Sequence, residues 1–175
     1  MLVQEQLTAA LRDLEAPFRT LVDDSGWAHA SMEGLVLDLG RWFVPAADAR
    51  LTQQITFSVA ASEAARVSGG LYVEGYVWVN DRPEPAAWCG VGDQVVYGPE
   101  AAAYLGIPLA PHFCRRIQQR NGTAAVLMSK HPQLLPLLKE GPLRGSVLPG
   151  GRPGPRDGTD QTGIGPEKRN DDPRQ

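Results

Sequence analysis

The segment "LYVEGYVWVN", residues 71–80, constrains the fold most. In it Leu71, Val73, Val77 and Val79 alternate with Tyr72, Glu74, Tyr76 and Trp78. A period of two built from β-branched and aromatic residues is that of a strand whose successive side chains point to opposite faces. The chain that follows supplies partners for it. "AAWCG" (86–90) and "QVVYG" (94–98) read as two further strands around a turn at Val91, Gly92 and Asp93, and neighbours this close in sequence pair antiparallel.

Helical periodicity flanks these strands. Leu7, Leu11, Leu14, Phe18 and Leu21 recur at three- and four-residue spacing, which predicts a helix that covers the core with one face and breaks near Pro17. Asp48 is placed to cap a second helix carrying Leu51, Ile55 and Val59, with "SGG" at 68–70 as its stop. The stretch 26–48 between them fits no single pattern. Pro111 and Gly122 bracket a third helix over "HFCRRIQQRN", "TAAVLM" (123–128) reads as a strand, and "HPQLLPLLKEG" as a short last helix. The expected class is α+β, a mostly antiparallel sheet packed on helices.

Composition sets the boundary of the domain. The chain has 175 residues, 42% of them hydrophobic, yet it carries 19 Gly and 15 Pro. From 142 to 175 it has no aromatic residue and is broken by Gly or Pro every few positions, so it offers too little apolar surface to offset its ordering entropy. The expected organisation is a single α+β domain over 1–141 and a disordered Gly/Pro-rich tail over 142–175. A net charge of -3 gives no basic footprint, so nucleic acid is not an expected partner. The first twenty residues include Glu5, Asp13 and Glu15 and lack a signal-peptide core, and no apolar run of about 18 residues follows. A soluble cytoplasmic protein without a membrane partner is expected. Cys89 and Cys114 have no CxxC spacing, and His29, His112 and His131 are scattered, so neither a metal nor another cofactor is expected.

A series of short motifs adds a resemblance. "GRWFVPA" (40–46), "QITFSVA" (54–60), "YVEGYV" (72–77), "AAW" (86–88), "DQVVYGPE" (93–100) and "YLGIPL" (104–109) follow in order. In order and spacing they resemble a family of small, mostly uncharacterised bacterial and phage proteins with a transglutaminase-like, or papain-like, Cys-His-Asp arrangement. The resemblance covers about half the chain and implies a papain-like core. It also implies that the family's cysteine, histidine and aspartate fall here on Thr56, Ala86 and Tyr97. A thiolate, an imidazole and a carboxylate are then all missing, and no nucleophile can be generated by that route. The resemblance thus implies a non-catalytic binding or interaction module with a peptide, protein or small ligand as partner. The expected cleft is lined by Trp88, Glu74, Tyr97 and Trp42.

Two other readings stay open. One is an active enzyme with a rearranged site, using Cys89 with His112 or His29 as base, or Glu74 as an acid or base; the other is a structural or phage accessory protein without a pocket. Cys89 and Cys114 also fit as small core residues, Glu74 as a half-exposed side chain bonded to a neighbouring loop, and the four tryptophans as core. Arg115, Arg116 and Arg120 form a basic stripe that either contacts an anionic partner or is a solvated helix face. "GVGDQVVYG" lies between strands, the wrong context for a phosphate loop.

Overall fold

A computed structural model describes residues 2–128, 135–141 and 145–148, with the backbone alone at 21–25 and 121. Five helices and five strands follow in the order α1 (Val3–Ser25), α2 (Met32–Leu39), β1 (Arg41–Thr52), α3 (Phe57–Arg66), β2 (Leu71–Val79), β3 (Arg82–Val91), β4 (Gln94–Pro99), β5 (Tyr104–Leu109), α4 (Pro111–Asn121) and α5 (Leu135–Glu140). The class is α+β, as expected, but the sheet is a closed barrel in the order β1-β4-β3-β2-β5. Four of its pairings are antiparallel and β1 runs parallel to β4.

In the meander β2-β3-β4, strand β2 and the antiparallel pair β3-β4 match the sequence reading, and the β2-β3 hairpin is added by the structure. The turn that joins β2 to β3 has two residues. Asn80 and Asp81 take φ of 49° and 58°, the left-handed pair that a two-residue hairpin turn requires. Strand β3 therefore starts at Arg82 and includes Pro83 and Pro85. Only β2 flanks that half of β3, since β4 pairs no further back than Cys89, so the missing proline N–H groups break no second ladder.

The two faces of the barrel wall build two cores. Phe43, Val73, Val77, Ala86, Trp88, Val95 and Tyr104, contributed by all five strands, fill the inside. Trp88 is the plug, edge-on to Phe43 and Tyr104 with ring centroids 5.6 Å apart in each case. A Cβ on Gly106 would stand 2.5 Å from the Trp88 ring, so the indole occupies space that only glycine leaves. Outside the wall, Tyr72, Tyr76, Ala87, Cys89, Leu105, Ile107 and Leu109 pack under Leu7, Leu11, Leu35, Ala60 and Phe113 of the helices.

Several local expectations are corrected. Helix α1 runs through Pro17 without a break, and only its first half covers the core: Leu7 and Leu11 are fully buried, whereas Leu14 and Phe18 are 46% and 45% exposed. Asp48 caps nothing, because it lies within β1; the cap of α3 is Thr56, whose hydroxyl accepts from the Val59 N–H at 3.3 Å. Strands β1 and β5 arise from segments without period-two alternation, and β1 carries Pro45 at an irregularity in its pairing with β4. The expected strand at 123–128 is irregular chain. The expected tail lies outside the described residues apart from 145–148, of which 146–148 pack. Ser146 is 2% exposed, Val147 bridges to Leu109, and Leu148 donates to Pro108 O at 3.0 Å. The packed chain therefore extends beyond residue 141.

Candidate functional site

Glu74 lies on the face that alternation assigns to it, but its burial is one that no periodicity argument supplies. It lies on the outer face of β2 between Tyr72 and Tyr76 and is fully buried under the 123–128 segment. Its Oε1 accepts from Tyr72 Oη and the Val126 N–H, both at 2.6 Å, and its Oε2 from the N–H groups of Leu127 and Met128 at 2.6 and 2.9 Å. This is why the segment is not a strand: three successive N–H groups turn to one carboxylate instead of a sheet edge. Burial pushes the Glu74 carboxyl above its usual range, against the pull of the Tyr72, Met128, Val126 and Leu127 hydrogen bonds. Burial also raises the Tyr72 hydroxyl, and the adjacent Glu74 charge raises it further. With its oxygens engaged by four donors and no exposure, Glu74 holds the loop; it does not line a cleft.

The other expected site residues do not converge either. Trp88 is fully buried inside the barrel, on the face opposite Glu74. Ala86 points into the same interior. Tyr97 lies opposite Cys89 on the outer face, half-buried, with the Arg50 guanidinium 4.8 Å above its ring. Thr56 is exposed at the start of α3, a helix that packs on β3. Thr56 and Tyr97 therefore share the outer side of the wall while Ala86 is sealed within it, and the three positions enclose no common cleft. Trp42 is half-buried and lines a shallow hollow with Gln4, Thr8 and Arg12 of α1.

The cysteines are inert in this setting. Cys89 is fully buried; burial, then the Glu63 charge, pushes its thiol up to about 11 against the pull of Arg50. Cys114 is pushed up to about 12, chiefly by burial. A thiolate is the nucleophile, so neither is poised to attack at neutral pH. His29 is held by Asp38, Nδ1 to Oδ2 3.0 Å, between α2 and the end of α5, and His112 is exposed on α4. Among the described residues no three His, Cys, Asp or Glu side chains cluster as metal ligands.

Concave surface lies elsewhere, on both flanks of α4. A groove of about 330 Å³ separates α4 from α3, floored by Ala61, Ala64, Gly70 and Tyr72 and overlooked by Arg115. A second, of about 370 Å³, separates α4 from α5; Phe113, Ile117 and Leu137 floor it and Arg116 and Arg120 form one wall. The first exists because α3 presents alanines where larger side chains would fill the gap. The arginine stripe was readable in the sequence, but the grooves beside it depend on how three helices sit on the barrel. Comparison with known proteins returns no family model, no curated protein and no solved structure that matches this chain.

Proposed function

We propose that this chain is a non-catalytic interaction module, a stiff plugged barrel that holds a peptide or protein on its helical exterior. One observation carries the reading. The side chains with chemical potential, Cys89, Cys114 and Glu74, are buried in the core, while the two grooves that flank α4 are open, apolar-floored and edged by arginine. The position of the docking face differs from the cleft that the resemblance implied, because Trp88 plugs the barrel and Glu74 is covered.

Iodoacetamide labelling of the native chain tests the reading. Both thiols should stay unmodified at neutral pH and become labelled only in denaturant. Rapid labelling of Cys89 in the folded protein, at or above the rate of a free thiol, would favour the rearranged-enzyme reading and defeat this one.

A further inference from the structure

We infer that the α4 ridge with its two grooves is a docking face for an acidic polypeptide segment that carries apolar side chains; this deepens the interaction reading above and rests on it. Arg19, Arg50, Arg66 and Arg82 each have a carboxylate within 4.0 Å. Arg115, Arg116 and Arg120 are exposed and have none among the described residues, and α4 contains no acidic residue of its own. Among the described residues, three cations with no carboxylate within 4.0 Å thus sit on one helix of a chain whose net charge is -3.

Their placement on the helix turns charge into geometry. At 100° per residue, Arg116 and Arg120 stand one turn apart on the flank shared with Phe113 and Ile117, and Arg115 stands on the other flank, beside Cys114 and Gln118. Each groove therefore combines an apolar floor with a guanidinium edge. Arg116 also lies 5.7 Å from the Phe113 ring centroid, which keeps one of these cations over the groove floor. Glu140, on the α5 side of the second groove, excludes a purely anionic filling and leaves that wall to the apolar part of the occupant.

An acidic peptide meets these features together. Carboxylates pair with the arginines on the ridge while apolar side chains enter the floors. Anionic membranes are recruited by clusters of roughly four to eight basic residues, more than α4 offers. A polyanion such as nucleic acid would be repelled by the remaining surface of an acidic molecule.

The test uses the full chain, isotope-labelled, and a synthetic peptide repeating Glu-Glu-Leu. Expected are amide shift changes confined to α4 and the facing residues of α3 and α5, weakening as salt rises. The exposed pair R116E/R120E should lose roughly tenfold or more in affinity, with R116Q/R120Q in between and the thermal midpoint unchanged in both. Equal binding of a Glu-Gly repeat or of inorganic phosphate would reduce the site to a charge reader, and equal binding of a Lys-Lys-Leu repeat to an apolar one; either overturns the proposal. So do shifts that map elsewhere or no binding at all. Sedimentation with phosphatidylserine vesicles in place of peptide binding would assign the face to lipid. Arginine-dependent self-association would assign it to a second copy of the chain. Thiol labelling is insensitive to these substitutions, so failure here with protected thiols removes the acidic partner and leaves the non-catalytic reading standing.

Discussion

Glu74 shows how one side chain can decide the course of a segment far along the chain. Substitution to Gln keeps the shape but turns an amide N–H₂ either toward the Leu127 and Met128 N–H groups or toward the Val126 N–H and Tyr72 Oη, whose hydroxyl can turn to Ala124 O and accept from the amide. Each buried donor left without an acceptor costs about 1–3 kcal/mol, and the better flip affects one, so E74Q should lose about 1–3 kcal/mol in urea unfolding. E74L, which satisfies none of the four, should lose more; a fully stable E74Q would mean that the loop is held by something else. The buried thiols make a second prediction at this scale. Cys89 is raised from 9.0 to about 11, so between these values the unfolded chain has released a proton that the folded chain keeps. Unfolding then releases a proton and is favoured as pH rises. Stability should be constant in this respect below pH 9 and fall above it, by up to about 1.4 kcal/mol per pH unit for each such thiol. Replacing Cys89 and Cys114 by Ala should flatten the decline, and an unchanged slope would show that the thiols do not cause it.

At the scale of elements, helix caps and grooves follow from particular residues. Thr56, the position that the motif resemblance assigned to a nucleophile, caps α3 through its hydroxyl and also lies 3.0 Å from Ser58 Oγ. T56A should cost about 1 kcal/mol, while T56S, T56D or T56N should retain most of the stability. Equilibrium denaturation separates these outcomes, since a cap tolerates any short acceptor and a nucleophile does not. Helix α1 behaves differently along its length. Its first half is anchored by Leu7 and Leu11 against the outer core, whereas beyond Leu14 the same stripe is exposed. Hydrophobic spacing records which residues share a helix face, and it carries no information about how far the neighbouring body extends beneath that face.

The whole molecule is organised around a barrel too narrow for anything but side chains. Five strands close on one indole, and glycines at 98 and 106 give it room. Truncation of Trp88 to Ala should cost about 3–5 kcal/mol, as for other buried large aromatics. The sharper test is a double-mutant cycle. G106A alone should destabilise, because its Cβ would meet both the Trp88 ring at 2.5 Å and the Glu74 carbonyl at 2.9 Å. In a W88F background part of that cost should vanish, leaving a coupling of about 0.5–3 kcal/mol. Strict additivity would place the strain of G106A in the backbone contact alone.

The sequence by itself determined the α+β class, strand β2, the antiparallel pair β3-β4 and α4 between Pro111 and Gly122, because alternation, turn chemistry and caps are local signals. It also marked the arginine stripe and offered Cys89 and Cys114 as small core residues, while leaving Cys89 open as a nucleophile. Closure of the sheet was not legible. β1 joins β4 in parallel and β5 antiparallel through contacts between residues roughly fifty and sixty positions apart respectively, and no local period encodes such a pairing. Trp88 and Glu74 looked like companions in one cleft, yet the register Val73↔Trp88 and Glu74↔Ala87 puts them on opposite faces of a closed wall. Glu74 was expected half-exposed; only the return of residues 124–128 across β2 buries it and supplies its donors. The grooves flanking α4 were likewise decided by tertiary packing, since they are gaps between helices, and a gap is a property of their relative placement on the barrel and not of any one segment.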